Sequence, residues 1–231
     1  MLKKILAKIF RNKNKYKELS QVEKFEKKYK KVIYDIHKSV KEKKELNFLH
    51  SGHCGDLIYS FAVIKKLSLS HKCNFYIGLN KIVKNKYEDH PSGNIYINER
   101  MFNLLLPLIK KQNFINKVKK HENELIDINL DLFRELPINY IFNSPRWYFQ
   151  ITGEQVDLSE PYINADEHDQ VKNKIIIHRT FRFRNKFINY EFLKDEKNLL
   201  FIGLEDEFKD LRKQIPHLEF YNPEDFYEVA K

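Results

Sequence analysis

Over the first eleven residues the apolar side chains recur at helical spacing. Leu2, Ile5, Leu6, Ile9 and Phe10 share one face, while Lys3, Lys4, Lys8 and Arg11 fall largely elsewhere. The pattern predicts a short basic amphipathic helix with two readings: contact with an anionic membrane surface, or docking on the chain's own domain. Asn12 to Lys17 interrupts it. Ser20-Gln21-Val22-Glu23 then has the form of a capping box and predicts a second helix. Its apolar residues Val22, Phe25, Tyr29, Val32, Ile36 and Val40 alternate by three and four, a narrow seam. Packing against the chain's own fold is a simpler account of that seam than a coiled-coil partner.

After the charged stretch Lys41–Glu45 the period changes. LNFLH (46–50) predicts a buried strand, SGHCG (51–55) a loop, and Asp56–Leu69 a helix. NFYIGL (74–79) predicts a second strand. Asn80–Arg100, with His90-Pro91-Ser92-Gly93, predicts a loop. Met101–Lys111 predicts a helix despite Pro107, ELIDINL (124–130) a third strand, and Asn139–Thr152 a helix that Gly153 can end. The polar run Pro161–Asn173 predicts a linker. Beyond it come strands at KIIIH (174–178), NLLFIG (198–203) and LEFY (218–221), with helices near 190–194, at 205–215 and after Pro223. Strands separated by helices imply parallel pairing and an α/β fold.

Charge sharpens the division. Residues 1–45 hold 16 Lys and Arg against six Asp and Glu, a balance of +10 that equals the net charge of the whole 231-residue chain. The remainder is therefore neutral, which argues against nucleic-acid binding by the main domain. Two scattered cysteines, Cys54 and Cys73, form no disulfide framework and fit a reducing, cytoplasmic setting. No run reaches the ~20 apolar residues of a membrane span, and the start lacks the pattern of a signal peptide.

In open parallel sheets ligands bind beyond the carboxyl ends of strands, and two loops qualify. In Ser51-Gly52-His53-Cys54-Gly55-Asp56 the glycines allow close backbone approach. Asp56 can cap its helix, act as a general base, or do both. In His178-Arg179-Thr180-Phe181-Arg182-Phe183-Arg184-Asn185-Lys186, four cations and a threonine suit a diphosphate; an edge strand with one solvated face is the other account. His50, His53, Cys54, His71 and Cys73 could each bind zinc, but their spacing matches no common zinc pattern, and no metal is expected.

Gly55-Asp56-Leu57-Ile58-Tyr59-Ser60, followed by Val63-Ile64-Lys65-Lys66-Leu67, resembles the opening motif of heptosyltransferase-like glycosyltransferases of the GT-B class. Leu105–Lys110, Asp127–Arg134 and Ser159-Glu160-Pro161-Tyr162 extend the resemblance from about residue 46 to the end. It implies two Rossmann-type parallel-sheet domains: an acceptor-side domain at 46–165, a linker at 166–173 and a donor-side domain at 174–231, preceded by the basic arm 1–45. It also implies sugar transfer with inversion from a nucleotide-diphosphate sugar, which is a substrate rather than a cofactor, to a glycan or lipid-linked acceptor. Asp56 would be the catalytic base, with Gly55 and His53 beside the substrate. Thr180, Arg182, Arg184 and Lys186 would hold the donor diphosphate. The chain contains no Asp-x-Asp pair, in keeping with metal-independent transfer. Surface-glycan synthesis in the cytoplasm is the setting implied, and the amphipathic arm, residues 1–11, is compatible with work at the inner face of a membrane. The second domain has fewer strand–helix units than the family's, so a truncated, non-catalytic sugar- or nucleotide-binding protein is the alternative.

Overall fold

A computed structural model describes residues 2–83, 93–136, 144–168 and 171–231. The turn at His90-Pro91-Ser92, the start of the helix expected from Asn139, and Asp169 lie outside these residues. The protein is α/β, with two all-parallel sheets.

Helix α1 (Leu2–Ile9) is followed by α2 (Lys13–Glu42). The expected break before Ser20 is absent, and α2 runs unbroken for 30 residues. Asn12 supplies the cap instead: its side chain accepts from the Lys15 N–H at 3.0 Å, and Lys15 pairs with Glu18 one turn on. The Ser20–Glu23 box therefore lies inside a helix. Only the second half of α2 joins the core. Ile36 is buried, and Tyr29, Ile33 and Val40 pack on the same cluster.

The first sheet holds β1 (Glu45–His50), β2 (Lys72–Ile77), β3 (Lys117–Lys120) and β4 (Ile128–Asn129) in the order β3-β2-β1-β4. Helix α3 (Cys54–Ser68) joins β1 to β2, and α4 (Glu99–Lys111) precedes β3. Leu46, Phe48 and His50 alternate into the core and pair in register with Cys73, Phe75 and Ile77. The opposite face carries asparagines. Asn74 donates to Asn47, and Asn116 donates to Asn74. That polarity accompanies a β3–β4 connection, residues 121–127, that contains no helix. A short 3-10 helix (Leu130–Glu135) follows β4, and α5 (Pro145–Thr152) packs beside α2 and α3. Gly153 ends α5 at φ 78°, where an added Cβ would lie 3.0 Å from the His37 ring.

The 161–168 stretch is fastened to the first unit. Gln112, fully buried, donates to the Asn164 carbonyl and accepts from its N–H. The second sheet orders β5 (Ile175–Ile177), β6 (Leu199–Ile202) and β7 (Glu219–Tyr221), with α6 (Glu205–Arg212) between the last two. Its core is small: Leu199, Phe201, Phe208, Leu211, Ile215 and Leu218. The chain then returns to the first unit. Asp225 caps α7 (Phe226–Ala230), whose Phe226, Tyr227 and Ala230 pack on the larger core. Among the described residues no helix is long and apolar enough to cross a membrane.

Candidate functional site

Strand order places the site. Moving from β1, the chain steps outward through β2 and β3 on one side, whereas β4 lies on the other. The carboxyl ends of β1 and β4 therefore flank the point where strand order reverses, the position at which such sheets bind ligands. The loop 51–56 leaves β1 there, and the 3-10 turn carrying Asp131 and Arg134 leaves β4 there.

Asp131, 8% exposed, is the hub. It accepts from the Ser51 N–H at 3.0 Å, from the Ser51 hydroxyl, from Lys81 Nζ at 2.8 Å and from Arg134 at 2.9 Å. Burial opposes its ionisation, but the His50 ring, Lys81 and Ser51 outweigh burial and hold the carboxyl well below the usual carboxylate range. Arg134 bridges to the second carboxylate, donating to Asp56 Oδ2 at 2.9 Å. Its guanidinium carbon lies 4.1 Å from the Tyr96 ring centre and 4.3 Å from that of Phe133, so two aromatic rings hold the cation.

Asp56 also accepts from the His53 N–H at 3.0 Å, so it closes the first turn of α3 as well as meeting Arg134. The helix starts at Cys54 rather than at Asp56, so His53 is the N-cap and Asp56, expected as the cap, is the third helical residue whose side chain reaches back to it; the carboxylate stays about one-fifth exposed. His50 is wholly buried, and its Nε2 lies 2.8 Å from Tyr148 Oη. Tyr148 in turn donates to the Asp56 carbonyl at 2.8 Å. His50 Nδ1 is 3.0 Å from the Gly52 nitrogen and 3.3 Å from Asp131 Oδ1. A neutral ring accepts from Gly52, and a protonated ring serves Asp131.

The two glycines differ. A Cβ on Gly52 would lie 2.6 Å from Arg134 and from His50 and 2.7 Å from Asp56 Cβ, so the polar cluster closes directly over it. A Cβ on Gly55 meets nothing within 4 Å. Gly55 is exposed at the start of α3 and faces open space.

His53 is half-buried, with Nδ1 3.0 Å from the Tyr96 carbonyl. Burial holds its imidazole below the ordinary value, and the charges of Arg134 and Arg182 push the same way against Asp56 and that carbonyl.

The loop 178–186 is fastened to α6. Arg179, buried, donates to Asp210 at 2.7 Å, and Arg184 donates to the same oxygen at 2.5 Å. Arg179, with Arg184 assisting, holds the Asp210 carboxyl below its ordinary value. Glu207, 4% exposed, accepts from the Phe181 N–H at 2.7 Å. Thr180 Oγ1 accepts from the Phe183 N–H at 3.2 Å within the turn. Of the residues expected to hold phosphate, Arg184 is committed to Asp210 and Thr180 to its own turn. Arg182 and Lys186 are exposed, and Arg182 lies over the Phe183 ring at 4.8 Å.

Of Gly55, His53 and Asp56, singled out from the sequence, Asp56 joins the polar cluster directly and His53 through its backbone N–H, whereas Gly55 faces open space and Gly52 is the glycine under the cluster. Sequence reasoning missed Lys81, Tyr96, Asp131, Arg134 and Tyr148. One signal for Asp131 was available: an acidic residue just past a predicted strand, the placement that singled out Asp56. Cys54 and Cys73 are buried thiols, each pushed up to about 12 by burial. Comparison of the chain with protein-family models, curated proteins and solved structures finds no match.

Proposed function

We propose that the chain is a nucleotide-sugar-dependent glycosyltransferase of the GT-B kind, with its chemistry in the crevice beside the Gly-Asp loop. One observation carries the reading: Asp56 and the open space over Gly55 stand at the carboxyl end of β1, where strand order reverses. In this reading one ligand meets the acidic loop after β1 and the cationic loop after β5. In the proposed reaction the Asp56 carboxylate takes the acceptor hydroxyl's proton, and the oxygen attacks the anomeric carbon from the face opposite the leaving group. The bond from that carbon to the diphosphate oxygen breaks, and the nucleoside diphosphate departs with the electron pair. Arg182 and Lys186 stabilise its charge. Open space over Gly55 leaves room for substrate beside Asp56.

A second reading also has a specific basis. The Arg134 and His53 contacts engage the carboxylate that would act as base, as befits a site that binds a sugar nucleotide without turning it over. Asp56→Asn separates the two, because asparagine still accepts from the His53 N–H. With a panel of nucleotide sugars, the enzyme reading expects donor binding to persist and transfer to fall by about 100-fold or more. Full transfer by Asp56→Asn refutes the base assignment. Binding without turnover by the unaltered chain supports the second reading.

A further inference from the structure

Helix α1 is docked the wrong way round for a helix that seeks burial. At 3.6 residues per turn, Lys4 and Ala7 lie on one side and Ile5, Leu6 and Ile9 on the other. The first side faces α2: Ala7 is buried, and Lys4 donates to Glu23 at 2.6 Å and lies 5.4 Å from the Tyr16 ring centre. The apolar side faces outward, with Ile5 50%, Leu6 42%, Ile9 65% and Phe10 76% exposed. Lys3 and Lys8 stand on the two borders of that apolar arc.

We propose that α1 lays this face into an anionic lipid surface, anchoring the protein beside a bilayer. Charge complementarity selects the occupant. The arm that carries α1 holds the whole net charge of the chain, 16 cations against six anions. A second copy docked on the same face would bring like charges together, whereas anionic headgroups match the flanking lysines while the apolar residues enter the acyl boundary. The first half of α2 continues the basic surface, with Lys13, Lys15, Lys17, Lys24, Lys27 and Lys28 exposed. This inference does not depend on the reading of the crevice.

The test is sedimentation of the full chain with vesicles of phosphatidylcholine alone, or with about one-third phosphatidylglycerol, at low and high salt. The altered side chains are exposed, and unchanged circular dichroism confirms that each variant folds. The unaltered protein is expected to bind the anionic vesicles much more strongly than the neutral ones, and more weakly as salt rises. Ile5→Glu/Ile9→Glu should lower partitioning by roughly 100-fold. Lys3→Gln/Lys8→Gln should lower it by roughly 25-fold, about fivefold per charge. Failure to bind phosphatidylglycerol vesicles overturns the proposal, as does equal binding by the Ile5→Glu/Ile9→Glu variant. So does a dimer, abolished by that variant, in a protein that ignores both vesicles.

Discussion

Replacing Asp131 with alanine removes an acceptor on which four donors converge. Two of them, the N–H and hydroxyl of Ser51, belong to a residue only 3% exposed, so water cannot replace the lost partner. Each orphaned buried donor costs about 1–3 kcal/mol. Arg134 keeps Asp56 as partner, and half-exposed Lys81 rehydrates. The sum is a loss of about 4 kcal/mol, within the range for breaking a buried charge pair. Asp131→Asn keeps an acceptor for Ser51 and should lose about half as much. Urea unfolding can be followed locally, because the single tryptophan, Trp147, stacks on Phe133 at 5.3 Å, two residues beyond Asp131. The pH dependence has a defined sign. The folded carboxyl titrates below the unfolded one, so its contribution is full above the unfolded value near pH 4 and declines as pH falls below that. The acid-side slope should therefore flatten in Asp131→Asn. A loss under about 1 kcal/mol for Asp131→Ala, or an unchanged acid slope in Asp131→Asn, refutes the hub assignment.

Other expectations follow from single contacts. Gly52→Ala should destabilise by about 2–3 kcal/mol, because a Cβ 2.6–2.7 Å from Arg134, His50 and Asp56 forces the cluster apart. Gly55→Ala should be neutral or slightly stabilising in thermal unfolding while weakening ligand binding in the crevice. Glu207→Ala orphans the Phe181 N–H and loosens the loop from α6, so limited proteolysis should cut within 178–186 faster than in the unaltered protein. Cys54 and Cys73, with thiols near 12, should resist thiol reagents at about pH 8 until the protein unfolds.

The readability of the chain varied with burial. Residues 46–69 announce β1 and α3, because Leu46, Phe48, Leu57, Phe61 and Ile64 sit wholly inside and so had to be apolar. The same holds for Leu199 and Phe201 in β6. KVKK at β3 gave no signal: it is an edge strand, largely exposed, held by backbone pairing to β2. The run at 124–130 promised a longer strand than Ile128–Asn129; at Asp127 the backbone N–H still donates to the Asn47 carbonyl, while the side chain accepts from the Asn47 N–H and pairs with Lys43. The α2 seam was legible, although Ile33 rather than Val32 faces the core. Asp56 and His53 could be found from a strand–loop–helix pattern in contiguous sequence. Asp131 and Arg134 join them only because Phe48 pairs with Ile128, a register that no local pattern encodes.

The central claim is that the Gly-Asp loop and the cationic loop serve one ligand. Calorimetric titration of nucleoside diphosphates into the full chain and into Arg182→Gln tests it most directly. The account predicts saturable binding by the unaltered protein, weakened about tenfold or more by Arg182→Gln and left nearly intact by Asp56→Asn. Equal affinity in Arg182→Gln, or no binding of any nucleoside diphosphate by the unaltered chain, would contradict it.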